Sequence, residues 1–201
     1  MIPLHTATGI IDLAALRPED MNAVAIGDAL AKLNRFAGRT PHPWSVAAHS
    51  LLVTAISPID LQGWALLHDA HKAFLGDLIL PAVEFLSASG SRVAVDHAMA
   101  NARHRLERAI GAAWECAPRS HSLEIRRADW IAYQAELAFH FGEPIDPGER
   151  EAILRACDLI PELPQGANWI AAREAWIERA DQLHTMGLLR LPPSPKAATA
   201  A

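Results

Sequence analysis

Two imidazoles and two carboxylates of this chain lie in apolar, helix-patterned surroundings. His49 sits within Trp44-Ser45-Val46-Ala47-Ala48-His49-Ser50-Leu51-Leu52-Val53, and Val46, Leu52 and Val53 share its face. His68 and Asp69 are adjacent in Gly63-Trp64-Ala65-Leu66-Leu67-His68-Asp69-Ala70-His71-Lys72-Ala73-Phe74-Leu75-Gly76-Asp77. Asp129 shares a face with Ile125, Ala132 and Tyr133. A carboxylate buried without a partner is costly, and a bound cation is one way to offset that cost. A mixed nitrogen and oxygen set without thiolate suits one divalent ion (Mn, Co, Fe, Ni, Zn or Mg) better than it suits structural zinc. On a six-coordinate ion these four ligands leave places for water and a substrate oxygen. Such an ion lowers the pKa of the water and neutralises phosphoryl charge. Each histidine taken alone is better read as a hydrogen-bonded core residue; the ordered set across three helices is what favours a metal.

The elements that must carry these residues follow from periodicity and punctuation. Asp20 is expected to cap a helix running to Phe36, with Val24, Ala25, Ala29, Leu33 and Phe36 on its apolar face. Pro41 and Pro43 make Gly38–Pro43 a stiff loop. Ser45 starts a second helix that ends near Ile56. A third begins near Asp60, carries His68-Asp69, and ends or bends at Gly76. Asp77 is expected to cap a short helix broken near Pro81. Longer helices are predicted over 91–115 and 121–141, with further ones over 149–157 and 167–187. No strand alternation stands out, and residues 1–19 read as an irregular or short extended lead-in. The fold class is all-α, one helical bundle of roughly seven or eight helices.

Composition agrees with a globular chain. Of 201 residues, 51% are hydrophobic and 20% charged, and the net charge of −5 gives no pull toward nucleic acid. Cys116 and Cys157 form no framework and read as two buried structural thiols. The N-terminus has no signal-peptide pattern and no apolar run is long enough to span a bilayer, so a cytoplasmic protein with no membrane partner is expected.

The order His49, His68-Asp69, Asp129 resembles the HD-domain metal-dependent phosphohydrolases. Further segments extend the likeness: Asn34-Arg35-Phe36-Ala37-Gly38-Arg39-Thr40, Trp44 to Ser50, Leu75-Gly76-Asp77 and Arg126-Arg127-Ala128-Asp129. They look like the compact branch containing bacterial 5′-deoxynucleotidases and phage dATP triphosphohydrolases. The likeness covers about 20–140 and leaves the last third unmatched. It implies an HD domain with its core at about 20–140, extended here over 1–190 by the C-terminal helices that periodicity gives at about 149–187; the Pro-rich and Ala/Thr composition of 191–201 reads as a disordered tail. It also implies hydrolysis of a small nucleotide, a deoxynucleoside mono- or triphosphate, by attack of metal-activated water on phosphorus. A homodimer is implied as well.

The resemblance gives metal ligation to His49, His68, Asp69 and Asp129. It gives substrate contacts to Arg35 and Phe36, with Arg39 and Trp44 as further pocket candidates. Asp77 would lie near the attacking water, and its other role is the helix cap. His71, one turn from His68, could contact phosphate or protonate the leaving group. Lys72 departs from the branch, where Glu is common. A lysine is a charged donor rather than a base, so it either binds phosphate or marks a degenerate domain that binds a nucleotide or protein partner without turnover. Arg126, Arg127 and His42 are secondary candidates. His97, His104, His121, His140 and His184 fit no ligand pattern, and Trp169, Trp176 and Leu183 read as core or interface.

Overall fold

A computed structural model describes residues 1–166 and 168–193. The chain is predominantly α-helical, as its periodicity predicts. The lead-in forms a small antiparallel hairpin, β1 (Pro3–Thr6) with β2 (Gly9–Asp12), in which Thr6 Oγ1 donates to the Gly9 carbonyl at 2.8 Å.

α1 spans Ala23–Lys32, and its cap is Asn22, whose side chain accepts from the Ala25 amide; Asp20 instead accepts from Arg17. The helix stops short of the expected Phe36 because Asn34 turns away to bridge Ser45. Its buried face is also rotated from the predicted one. Ala25, Ile26, Leu30 and Ala31 are buried and Val24 is exposed, because α1 packs against three other helices rather than on one. Gly27 permits one of those approaches, since a β-carbon there would stand 3.1 Å from the Trp176 ring.

α2 (Val46–Ile56) starts at its Ser45 cap as predicted and is buried along nearly its whole length. The next predicted helix is broken. α3 (Gln62–Leu67) and α4 (Lys72–Leu75) are separated by a tight turn over His68–His71, and Gly76 ends α4 at φ +80°. Counting that stretch as one broken helix, the described residues hold eight helices, within the expected number. α5 (Leu80–Ser89) carries Pro81 in its first turn, where a missing amide hydrogen costs nothing, so the proline opens this helix instead of breaking it. Its cap position is Ile79, so Asp77 is not a cap.

α6 (Arg92–Ala113), α7 (Leu123–Phe141), α8 (Arg150–Leu159) and α9 (Trp169–Thr185) complete the bundle. α7 ends in left-handed Gly142, the expected C-terminal signal. One core gathers Trp44, Trp64, Trp114 and Trp176, all fully buried, with Trp114 and Trp176 edge to face. Cys116 is buried in it, which pushes its thiol up to about 11; Cys157 is only partly buried, against expectation. Among the described residues no helix is long and apolar enough to cross a membrane. Of the predicted tail, 194–201 lies outside the described residues.

Candidate metal centre

His68 and Asp69 stand in the turn that separates α3 from α4. In a continuous helix adjacent residues diverge by about 100°. The chain tightens at Leu67–Ala70, where the Ala70 amide donates to the Leu67 carbonyl at 2.9 Å; His68 faces His49 on α2 and Asp129 on α7, and Asp69 faces His49. His68 Nδ1 donates to the Ala65 carbonyl at 2.7 Å, which leaves Nε2 as the lone-pair nitrogen. That Nε2 is buried without a hydrogen-bond partner. Burial also lowers the His68 pKa, so the imidazole is neutral and ready to ligate.

His49 Nε2 and Asp129 Oδ1 stand 3.1 Å apart, and His68 Nε2 lies 3.8 Å from the same Asp129 oxygen. One donor atom each from His49, His68 and Asp129 falls within 4.8 Å of the others, close enough to share a cation. Asp69 Oδ2 lies 3.5 Å from His68 Nε2 and 3.7 Å from His49 Nε2. The four predicted ligands therefore converge from α2, the turn after α3, and α7. The Asp129 side chain is 49% exposed, so the cluster opens to solvent on the α7 side while the histidines form its floor.

Glu136, absent from the sequence-level site, organises that floor. It is fully buried and accepts from His49 Nδ1 at 2.7 Å, Trp44 Nε1 at 2.8 Å and Arg35 Nε at 2.8 Å. Burial opposes its ionisation, yet Arg35 and His49 hold its carboxyl down at about 2. A carboxylate on the far nitrogen of a ligating histidine fixes the ring and makes it a better ligand. The signal for Glu136 was present: it follows Asp129 by seven residues on α7 and so shares its face.

His49 has a carboxylate on each ring nitrogen. A neutral imidazole has one N–H and cannot donate to both. Burial and Arg35 oppose a second proton, but Glu136 and Asp129 carry the His49 pKa above its ordinary value. A cation on Nε2 would replace that proton. The donor set, the orphaned His68 nitrogen and the doubly faced His49 all fit a divalent ion.

The remaining predicted residues divide by position. Lys72 Nζ pairs with Asp69 Oδ2 at 2.9 Å and Asp77 Oδ1 at 2.7 Å, which gathers Asp77 into the site. Burial resists the charge on Lys72, but Asp69 and Asp77 raise its pKa. Asp69 in turn is held well below the usual carboxylate range by Lys72 and the neighbouring His68, His49 and His71, against the effect of burial. Arg35 is buried, with Nη1 3.9 Å from Asp69, and is no solvated helix-end residue. Trp44 is fully buried with its indole N–H on Glu136, so it shapes the floor and does not line the opening. His71 is buried behind the turn. Its Nδ1 is 3.2 Å from the His68 carbonyl, and burial pushes it down to about 4. Arg39 and His42 are exposed on the loop, and Arg127 is engaged by Glu149 at the surface.

Phe36 marks the rim. It and Ala37 adopt φ of 53° and 51°, followed by Gly38 at 72°, a left-handed turn that non-glycine residues rarely enter. The turn carries the Phe36 ring onto Tyr133 (5.9 Å between centroids, stacked) and Phe141 (5.3 Å, edge to face). A partly exposed aromatic patch therefore borders the charged cluster.

No protein-family model matches the chain. It is 36% identical over 61 residues to the uncharacterized protein YfdR of Escherichia coli (strain K12), a match covering 30% of this chain and 33% of that protein. The chain thus aligns with about a third of that relative's length.

Proposed function

We propose that the chain is an HD-type, divalent-metal-dependent phosphohydrolase acting on a small nucleotide, a deoxynucleoside mono- or triphosphate, in the cytoplasm. The observation that carries this reading is the convergence of His49, His68, Asp69 and Asp129 with the His68 Nε2 left buried and unpartnered. Charge supports it. Asp69, Asp77, Asp129 and Glu136 face only Arg35 and Lys72, so with both imidazoles neutral, as ligation requires, the cluster offers an ion four negative and two positive charges, a balance of −2. One divalent ion cancels that excess, and without it an anionic nucleotide would be repelled.

When bound, the ion supplies Lewis-acid polarisation of a phosphoryl oxygen and lowers the pKa of a water. His49, held by Glu136, and His68, held by the Ala65 carbonyl, keep fixed orientations for it. Lys72 and Arg35 provide the positive charge that faces incoming phosphate oxygens. Asp77 orients the water while its other partner is the Lys72 ammonium. The Phe36, Tyr133 and Phe141 rings offer a surface for the base or sugar. The test is a nucleotide panel with Mn, Co or Mg and phosphate release as readout. Wild type is expected to turn over at least one nucleotide, and Asp69→Ala to lose both metal content and turnover. Full hydrolysis by a metal-free Asp69→Ala protein would overturn the mechanism.

A second reading, a domain that binds nucleotide without turnover, is favoured by one contact. Lys72 occupies Asp77, the carboxylate nearest to serving as a base. Nucleotide binding without phosphate release under every metal would support it.

A further inference from the structure

Lys72 touches the same oxygen that the metal reading needs. Its ammonium lies 2.9 Å from Asp69 Oδ2, and that oxygen is the one facing the Nε2 atoms of both His49 and His68. The contact is built in. Lys72 opens α4, its amide donates to the Asp69 carbonyl at 2.9 Å, and its carbonyl accepts from Gly76 at 2.8 Å. The backbone is therefore pinned at both ends of the four-residue helix, and the side chain is mostly buried. The second carboxylate, Asp77 Oδ1 at 2.7 Å, holds the same ammonium from the other side.

We infer that Lys72 is a tethered cation that competes with the divalent ion for Asp69, so that the site holds its metal loosely enough to exchange. This rests on the metal reading of the site. Two consequences of the geometry support it. An ion ligated by Asp69 Oδ2 must share that oxygen with a fixed positive charge, which weakens the ion's hold. Asp77 gives the ammonium a partner it keeps while yielding Asp69, so loading does not leave a buried ammonium unpaired. A neutral residue at position 72 would shift the cluster from −2 to −3 and leave Asp69 free.

The test is Mn2+ titration of the full chain, following free Mn2+ by electron paramagnetic resonance and total heat by calorimetry. The proteins are wild type, Lys72→Met and Lys72→Arg, with His68→Ala as the site control. Even under water-like screening, a unit charge a few ångströms from a divalent ion is worth roughly tenfold in affinity. Lys72→Met is therefore expected to bind Mn2+ at least roughly tenfold more tightly than wild type. Lys72→Arg, which keeps the charge, stays near wild type, and His68→Ala loses the site. Lys72→Gln repeats the experiment if the methionine variant fails to fold, as judged by circular dichroism. Equal or weaker Mn2+ binding by the neutral variants overturns the role of Lys72 while leaving the metal site standing. Failure of wild type and neutral variants alike to bind Mn2+ overturns the metal reading and this inference with it.

Discussion

Glu136 is the side chain whose loss should be felt most widely, and the structure gives the size of the effect by two routes. Its carboxylate is fully buried and receives Arg35, Trp44 and His49. Glu136→Gln keeps the shape but removes the charge opposite the buried Arg35 guanidinium, whose next carboxylate, Asp69, is 3.9 Å away. Breaking a buried pair by removing one partner costs about 3–5 kcal/mol. Separately, Glu136 is held at about 2, against an ordinary value of 4.5. A shift of that size corresponds to roughly 3 kcal/mol. Because the folded-state value is depressed, that stability is present above pH 4.5 and is lost as pH falls toward 2. Both routes give about 3 kcal/mol, which for a domain of this size lowers the melting temperature by roughly 10 °C. Urea denaturation at pH 7 and thermal melts followed by circular dichroism measure it. The double variant Arg35→Met, Glu136→Gln removes both charges and should recover much of the loss, since a buried pair is often replaceable by apolar groups. A loss below about 1 kcal/mol in Glu136→Gln, or a double variant no more stable than the single one, would refute the account of Glu136 as the charged anchor of the floor.

Other outcomes can be checked separately. Metal binding should release protons from His49, because the ion takes the place of the proton shared with Asp129. Calorimetry in buffers of different ionisation enthalpy measures it, and zero release would refute the doubly faced imidazole. His71 is held neutral down to about pH 4, so the unfolded chain binds more protons between 6.5 and 4 and stability falls as pH drops through that window. His71→Gln should flatten that limb by roughly 1 kcal/mol per pH unit in urea titrations, and an unchanged slope would count against its burial. Gly63→Ala should be severely destabilising, because a β-carbon there would stand 2.2 Å from the Leu188 carbonyl oxygen and backbone would have to move. A melting temperature within a degree or two of wild type would contradict that packing.

The residues that chemistry singled out were legible because each breaks an apolar pattern. His49, His68, Asp69 and Asp129 are polar groups on otherwise buried faces, and burial without partners is a contradiction that only tertiary contact resolves. Glu136 obeyed the same rule on the same face as Asp129, but its three partners come from the loop after α1 and from α2, so only the fold gathers them. Helix starts were legible where a serine directly precedes an apolar run, as at Ser45. They were misread where several polar residues compete, as with Asp20 and Asn22, since the choice depends on which one Arg17 engages. The break after Leu67 and the left-handed turn at Phe36 have no local signature; tertiary packing overrides propensity at both. Lys72 was legible as a departure, but its choice of carboxylate partners over solvent follows from where the broken helix sets it.

The cluster also dates its own assembly. His49 and Asp129, in contact across the site, are 80 positions apart in sequence, and Glu136 lies 87 beyond the ring it orients. During synthesis the first three ligands emerge well before the fourth, so a nascent chain holds an incomplete cage until α7 has been made and docked. On the proposed metal reading, capture would be a late event, gated by closure of a long stretch of chain rather than by ligand availability. Once made, such coordination would act as a clasp between distant parts of the chain. Withdrawing the ion with a chelator should loosen α7 from α2 first, visible as earlier proteolytic cutting around α7 while α1, α2 and α9 stay protected.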